Sequence, residues 1–170
     1  MQKLPSAASV GVRGRFRAHT PMGEPRVLFA AMADRDPNCL FCKIVAGDVP
    51  GTIVAEDERT VAFMDVNPAT RGHALVVPRR HAADLGEIDD DELAAVAAAA
   101  RRLAGRAREA LGADGITLMN SWGDAAWQTV FHFHVHVIPR YADDPLELPW
   151  KPAPGDEGEI AAAADALRGG

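Results

Sequence analysis

The sequence predicts an α+β domain: a mostly antiparallel sheet of about five strands with one long helix and a short C-terminal helix. Three observations lead there. Short apolar runs cluster before and after a single long segment, Asp, Asn, Pro and Gly separate the runs, and only that long segment keeps a helical period over several turns.

In chain order, residues 1–36 mix Pro, Gly, Arg and Ser without a sustained period. They read as a disordered extension, with Met32 a natural alternative start. The domain is expected over 37–150 and a tail over 151–170. Thr52–Glu56, Val61–Met64 and His73–Val77 read as strands, the first two a hairpin joined through Asp57–Thr60. Asp90–Leu111 reads as the long helix, with Leu93, Val96, Ala97, Ala100, Leu103, Ala104, Ala107 and Leu111 as its apolar stripe. Asp89 is placed to cap it, with Glu92 as a capping-box partner. Arg101, Arg102, Arg106 and Arg108 lie mainly off the stripe and read as a solvated face. Ile116–Asn120 and Val130–Ile138 complete the strands, and Asp156–Leu167 is the short terminal helix.

Composition narrows the function. The chain has 170 residues, 48% of them apolar, enough for one core. A net charge of −6 argues against a general nucleic-acid surface and leaves room for a small anionic substrate in a local site. No apolar run approaches the roughly 20 residues that span a bilayer. Val27–Ala33 sits too far in to resemble a secretory signal, and the basic lead (Lys3, Arg13, Arg15, Arg17, Arg26) offers a transit peptide only as a weaker alternative to the cytoplasm. Cys39 and Cys42 are the only cysteines, spaced C-x-x-C. This fits a reduced compartment and a metal or redox pair, not a disulfide framework.

Val130–Ile138 carries the most chemistry. His132, His134 and His136 alternate with Phe131, Phe133, Val135 and Val137, so a strand puts the imidazoles on one face and the apolar side chains on the other. Three imidazoles in a row can line a metal site or a catalytic groove. Neutral imidazole is a competent nucleophile near pH 7, and a nucleotidyl-imidazole intermediate divides one hard displacement into two easier ones.

Gln128 to Ile138 resembles the signature of the histidine-triad family, His-φ-His-φ-His-φ-φ with φ apolar, preceded by glutamine. Leu40-Phe41-Cys42-Lys43-Ile44 with Gly47-Asp48-Val49-Pro50 resembles the family's opening segment. Phe63 to Pro68 and Gly72 to His81 resemble its central block. The resemblance implies a histidine-triad fold, a homodimer and a purine nucleotide as ligand. It implies His134 as nucleophile, with the backbone carbonyl of His132 accepting the Nδ1 proton. His136 and His73 would contact the α-phosphate or bridging group, and Gln128 would hydrogen-bond near the scissile bond. Asp65 would accept from the ribose hydroxyls, and Leu40, Phe41, Ile44, Phe63 and Val66 would enclose the base. Two positions depart from the pattern. Ser121 stands where many relatives have asparagine, with Asn120 one residue earlier, and Trp127 stands where a small residue is common.

For the cysteine pair, the resemblance supplies two further ligands, His81 and His132, closing a structural zinc site with Cys39 and Cys42. A redox pair lacks its usual sequence context here. The function implied is cleavage of a nucleoside monophosphate from a leaving group at the α-phosphorus, of the phosphoramidate type. The alternatives are a dinucleoside polyphosphate hydrolase and a nucleotide-binding regulatory protein with slow turnover. Nucleotidyl transfer to a phosphate acceptor is disfavoured by His136, where such relatives have glutamine.

Overall fold

The computed structural model describes residues 35–147 and 149–169. The expected disordered extension over 1–36 lies outside these except for its last two residues. Asp36 already shapes the entry to the domain. Its carbonyl accepts the Cys39 N–H at 3.1 Å and its carboxylate the Asn38 N–H at 2.8 Å. The elements are α1 (Leu40–Ala46), β1 (Ile53–Glu56), β2 (Thr60–Met64), β3 (Ala74–Pro78), α2 (Asp90–Leu111), β4 (Gly115–Met119), a 3-10 turn (Asp124–Ala126), β5 (Val135–Arg140) and α3 (Glu157–Arg168). The strands form one sheet in the order β1-β2-β3-β5-β4, with every neighbouring pair antiparallel. The α+β architecture is the expected one. No described helix is long and apolar enough to cross a membrane.

Alternation along the strands divides the apolar side chains between two faces. Ala62, Val76, Phe133 and Val137 join Val96 and Ala100 of α2 in one core. Val61, Phe63, Leu75 and Val77 point the other way and pack with Cys39, Phe41 and Cys42 of the α1 region. Helix α2 has the expected bounds. The Asp89 side chain accepts the Glu92 N–H at 2.8 Å, and Gly112 closes the helix in the left-handed conformation. The box is half formed, because the Glu92 carboxylate pairs with Arg59 at 3.2 Å. Ala97, expected in the stripe, is exposed, and so are the four arginines.

Helix α1 was not anticipated from periodicity, since seven residues barely complete two turns. Its signals are local: Cys39 caps its start and Gly47, at φ 82°, caps its end. At Gly72, also in the left-handed region, a Cβ would collide with Leu111, so only glycine lets this turn approach the end of α2. Tyr141 Oη donates to the Arg71 carbonyl at 2.9 Å, fixing the same turn just ahead of His73.

The last strand corrects the sequence reading most. β5 begins at Val135, not Val130, so only His136 of the three histidines lies within it. Pro78 ends β3 and offers no N–H to prolong the ladder. The chain before β5 pairs elsewhere: Phe133 N–H donates to the Ala82 carbonyl at 2.7 Å and His132 N–H to the Val130 carbonyl at 3.0 Å. Phe133 and Val137 are buried as expected, but Phe131 falls in the irregular stretch and is 48% exposed.

Candidate functional site

His134 is buried, and its neighbours fix its hydrogen positions. Its Nδ1 lies 2.6 Å from the His132 carbonyl oxygen, which can only accept. Nδ1 therefore carries the proton and Nε2 keeps its lone pair. Burial also lowers the basicity of the ring, which keeps it neutral. Asn120 Nδ2 donates to the His134 carbonyl at 2.8 Å, so the backbone on both sides of the imidazole is held. The Phe41 ring meets His134 edge-on, with centroids 5.3 Å apart, and His136 stands 5.0 Å away on a T-shaped contact.

His73 lies behind His136. The Ala69 N–H donates to His73 Nδ1 at 3.1 Å, so the His73 proton sits on Nε2, which lies 2.9 Å from His136 Nδ1. His136 accepts there, and its own proton is on Nε2. Burial depresses both rings, His136 to about 4 with help from His134 and His73. Asp65 Oδ2 is 3.6 Å from His73 Nε2, while Asp65 Oδ1 accepts the Asn67 N–H at 2.8 Å. Asp65, His73 and His136 bring metal-type donors within 4.8 Å of one another. The Ala69 amide keeps the proton on His73 Nε2, which donates it to His136, so His73 offers no free lone pair to a metal there and Asp65 stands beside the pair as a charge neighbour.

A cavity of about 670 Å³ opens beside these imidazoles. Leu40, Phe41, Ile44, Phe63, Val66 and Asp65 all line it, together with His134 and His136. Phe41 and Phe63 are firm walls, packed at 5.2 Å between centroids, whereas Val66 is 90% exposed and covers only the rim. Val49, Pro50, Gly51, Thr52, Asn67, Thr129 and Val130 also line the cavity, and the sequence reading had assigned them no part. Most of these belong to the loop after α1 and the stretch before His132, whose path is set only by tertiary packing.

His73 and Gln128 are not among the residues that line this cavity. His73 touches the site through His136. The Gln128 side chain is buried: Oε1 accepts the Gly123 N–H at 2.8 Å and Nε2 donates to the Ala83 carbonyl at 2.8 Å. Gln128 thus ties the 3-10 turn to the loop after β3. Asn120 is engaged with the His134 backbone, and Ser121 is buried beside it.

The second cluster is metal-type. Cys39 Sγ and Cys42 Sγ each lie 3.5 Å from His132 Nδ1, and Cys42 Sγ lies 3.4 Å from His81 Nδ1. A tetrahedron with zinc's usual bonds to sulfur and nitrogen has sulfur–nitrogen edges of about 3.6 Å. His132 Nε2 donates to the Pro78 carbonyl at 3.0 Å, which leaves Nδ1 unprotonated toward the sulfurs. Burial pushes the Cys42 thiol up to about 11, so a bound cation is what would favour its thiolate. Geometry, tautomer and donor set all fit zinc. His132 joins both sites, its ring in this cluster and its carbonyl on His134.

The HIT domain pattern matches residues 46–143. The crystal structure of SMU.412c from Streptococcus mutans UA159 superposes with a TM-score of 0.76 at 37% identity, over 81% of this chain and 87% of that one. A zinc-bound histidine triad family protein from Mycobacterium smegmatis is 42% identical, with a TM-score of 0.63 over 76% and 94% of the two chains. Adenosine 5'-monophosphoramidase hnt1 of Schizosaccharomyces pombe is 34% identical over 131 residues, 76% of this chain and 96% of that one. A domain pattern spanning more than half of the chain, on a fold and histidine arrangement that agree with it, shows that the protein belongs to the HIT domain family of histidine-triad proteins.

Proposed function

We propose that the protein hydrolyses nucleoside 5'-phosphoramidates, with His134 Nε2 as the nucleophile at the α-phosphorus. The observation that carries this reading is the bare Nε2 of a neutral imidazole at the wall of a nucleotide-sized cavity. The likeness to the fission yeast monophosphoramidase supports the substrate class.

In the first step, a bond forms from Nε2 to phosphorus as the phosphorus–amine bond breaks. The amine leaves with the bonding pair and takes up one proton. The His136 Nε2–H, on the side of the ring away from His73, is the donor available to a phosphoryl oxygen. Water then attacks the nucleotidyl-imidazole, releasing the nucleoside monophosphate, neutral His134 and one proton. Phe41 and Phe63 suit the faces of a purine, and Asp65 suits the ribose hydroxyls. Cys39, Cys42, His81 and His132 would hold zinc with no open position, so the metal would cross-link the fold. A homodimer fits the edge strand β4, where Leu118 and Met119 are exposed.

The test is a panel of adenosine and guanosine phosphoramidates against diadenosine polyphosphates, compared by kcat/KM. The phosphoramidates are expected to lead. A clear preference for the polyphosphates would replace the leaving-group assignment.

A further inference from the structure

Helix α1 carries two sets of contacts on neighbouring residues. Cys39 and Cys42 turn their sulfurs to His132 and His81. Phe41, between them, lies edge-on to His134 at 5.3 Å and an interplanar angle of 86°, and edge-on to Phe63 at 5.2 Å. Leu40 and Ile44 of the same helix continue the cavity wall. An isolated helix needs about 12–15 residues to be even marginal in water, and α1 has seven. Its position therefore depends on what grips it, and the two thiols flank Phe41, the α1 residue that meets the nucleophile.

We propose that Cys39 and Cys42 are positioning residues for nucleotide binding. Held with His81 and His132 by one metal ion, they fix α1 so that Phe41 closes the base pocket against His134, and metal and nucleotide bind with positive coupling. The inference rests on the nucleotide reading of the cavity and adds a mechanism to it. Zinc enters as a clamp on α1 and takes no part in the bond changes.

The test measures adenosine monophosphate (AMP) binding by calorimetry on the full chain, zinc-loaded and after zinc removal, with circular dichroism as a check on folding. About one zinc per chain is expected by elemental analysis. Removing it should weaken AMP by about tenfold or more, and AMP should tighten zinc in a chelator competition by the same factor, because coupling is reciprocal. The Phe41→Ala variant separates this route from general loss of structure. Zinc-loaded, it should bind AMP more weakly, and its zinc dependence should fall to about threefold or less. If the zinc-free chain unfolds, the chelator competition with and without AMP still compares wild type and Phe41→Ala. Unfolding alone would couple zinc to AMP equally in both proteins. Equal AMP affinity with and without zinc would overturn the proposal, and so would a zinc dependence unchanged by Phe41→Ala. Zinc-loaded wild type that binds no AMP at all would overturn the nucleotide reading itself, a distinguishable failure.

Discussion

His73 Nε2 lies 2.9 Å from His136 Nδ1, and the Ala69 N–H on the other side of the His73 ring sets the direction of that hydrogen bond. A backbone amide therefore decides which nitrogen of His136 carries its proton, two rings away. Replacing His73 by Ala leaves a buried His136 acceptor unsatisfied, at a cost of about 1–3 kcal/mol. The expected result is a fall in kcat of roughly 5- to 150-fold, with AMP affinity changed much less. A loss confined to affinity would show instead that His73 contacts the nucleotide directly.

Burial lowers His73, His134 and His136, the last to about 4. An unfolded imidazole titrates near 6.5, so below that pH the unfolded chain binds more protons than the folded one. Stability is expected to be full above pH 6.5 and to decline as the pH falls toward 4. The neutral rings should likewise hold kcat/KM near its neutral-pH value down past pH 6.5. An acid limb at or above pH 6.5, measured on zinc-loaded protein, would contradict the neutral assignment.

Asp65 divides its carboxylate between the Asn67 N–H and the space beside His73. Hydrogen bonds to a charged group are worth about 1.5–3 kcal/mol. Asp65→Ala should therefore weaken a ribonucleotide by roughly 10- to 150-fold. It should weaken a ligand lacking both ribose hydroxyls far less. An equal loss for both ligands would reduce Asp65 to a turn residue.

Trp127 is the non-glycine residue with positive φ among the described residues, at 66°, and its side chain is 66% exposed. A left-handed conformation costs an L-residue roughly 1–2 kcal/mol, while glycine gives back about 0.5–1 kcal/mol in unfolded-state entropy. Trp127→Gly should leave stability unchanged or raise it by up to about 1.5 kcal/mol, read as a small rise in Tm. A clear fall would show that the indole makes contacts worth more than the strain.

Short apolar runs between turn residues made the sheet legible in the sequence, helical periodicity made α2 legible, and the His-φ-His spacing singled out the histidine cluster. The rest was hidden because non-local partners decide it. Nothing in the residues around Val130 says that Pro78 closes the β3 ladder beside them, so the strand expected from Val130 begins only at Val135. Nothing near His73 says that its Nε2 meets His136, which lies 63 residues along the chain. Gln128 reads as a polar group beside catalytic histidines, yet its donors and acceptor are taken up by Gly123, Ala83 and Val130. Helix α1 escaped because its stability lies in contacts with His132, His81 and Phe63, not in its own seven residues.

The most direct test of the central assignment is mass spectrometry of protein quenched during turnover of an adenosine phosphoramidate, paired with the His134→Ala variant. The expected result is one adenylyl group on the peptide containing His134 in wild type. The variant should carry none and lose turnover by orders of magnitude while still binding AMP, because only the covalent route is removed. Near-normal turnover in His134→Ala, or an adenylyl group on another residue, would contradict His134 as the nucleophile.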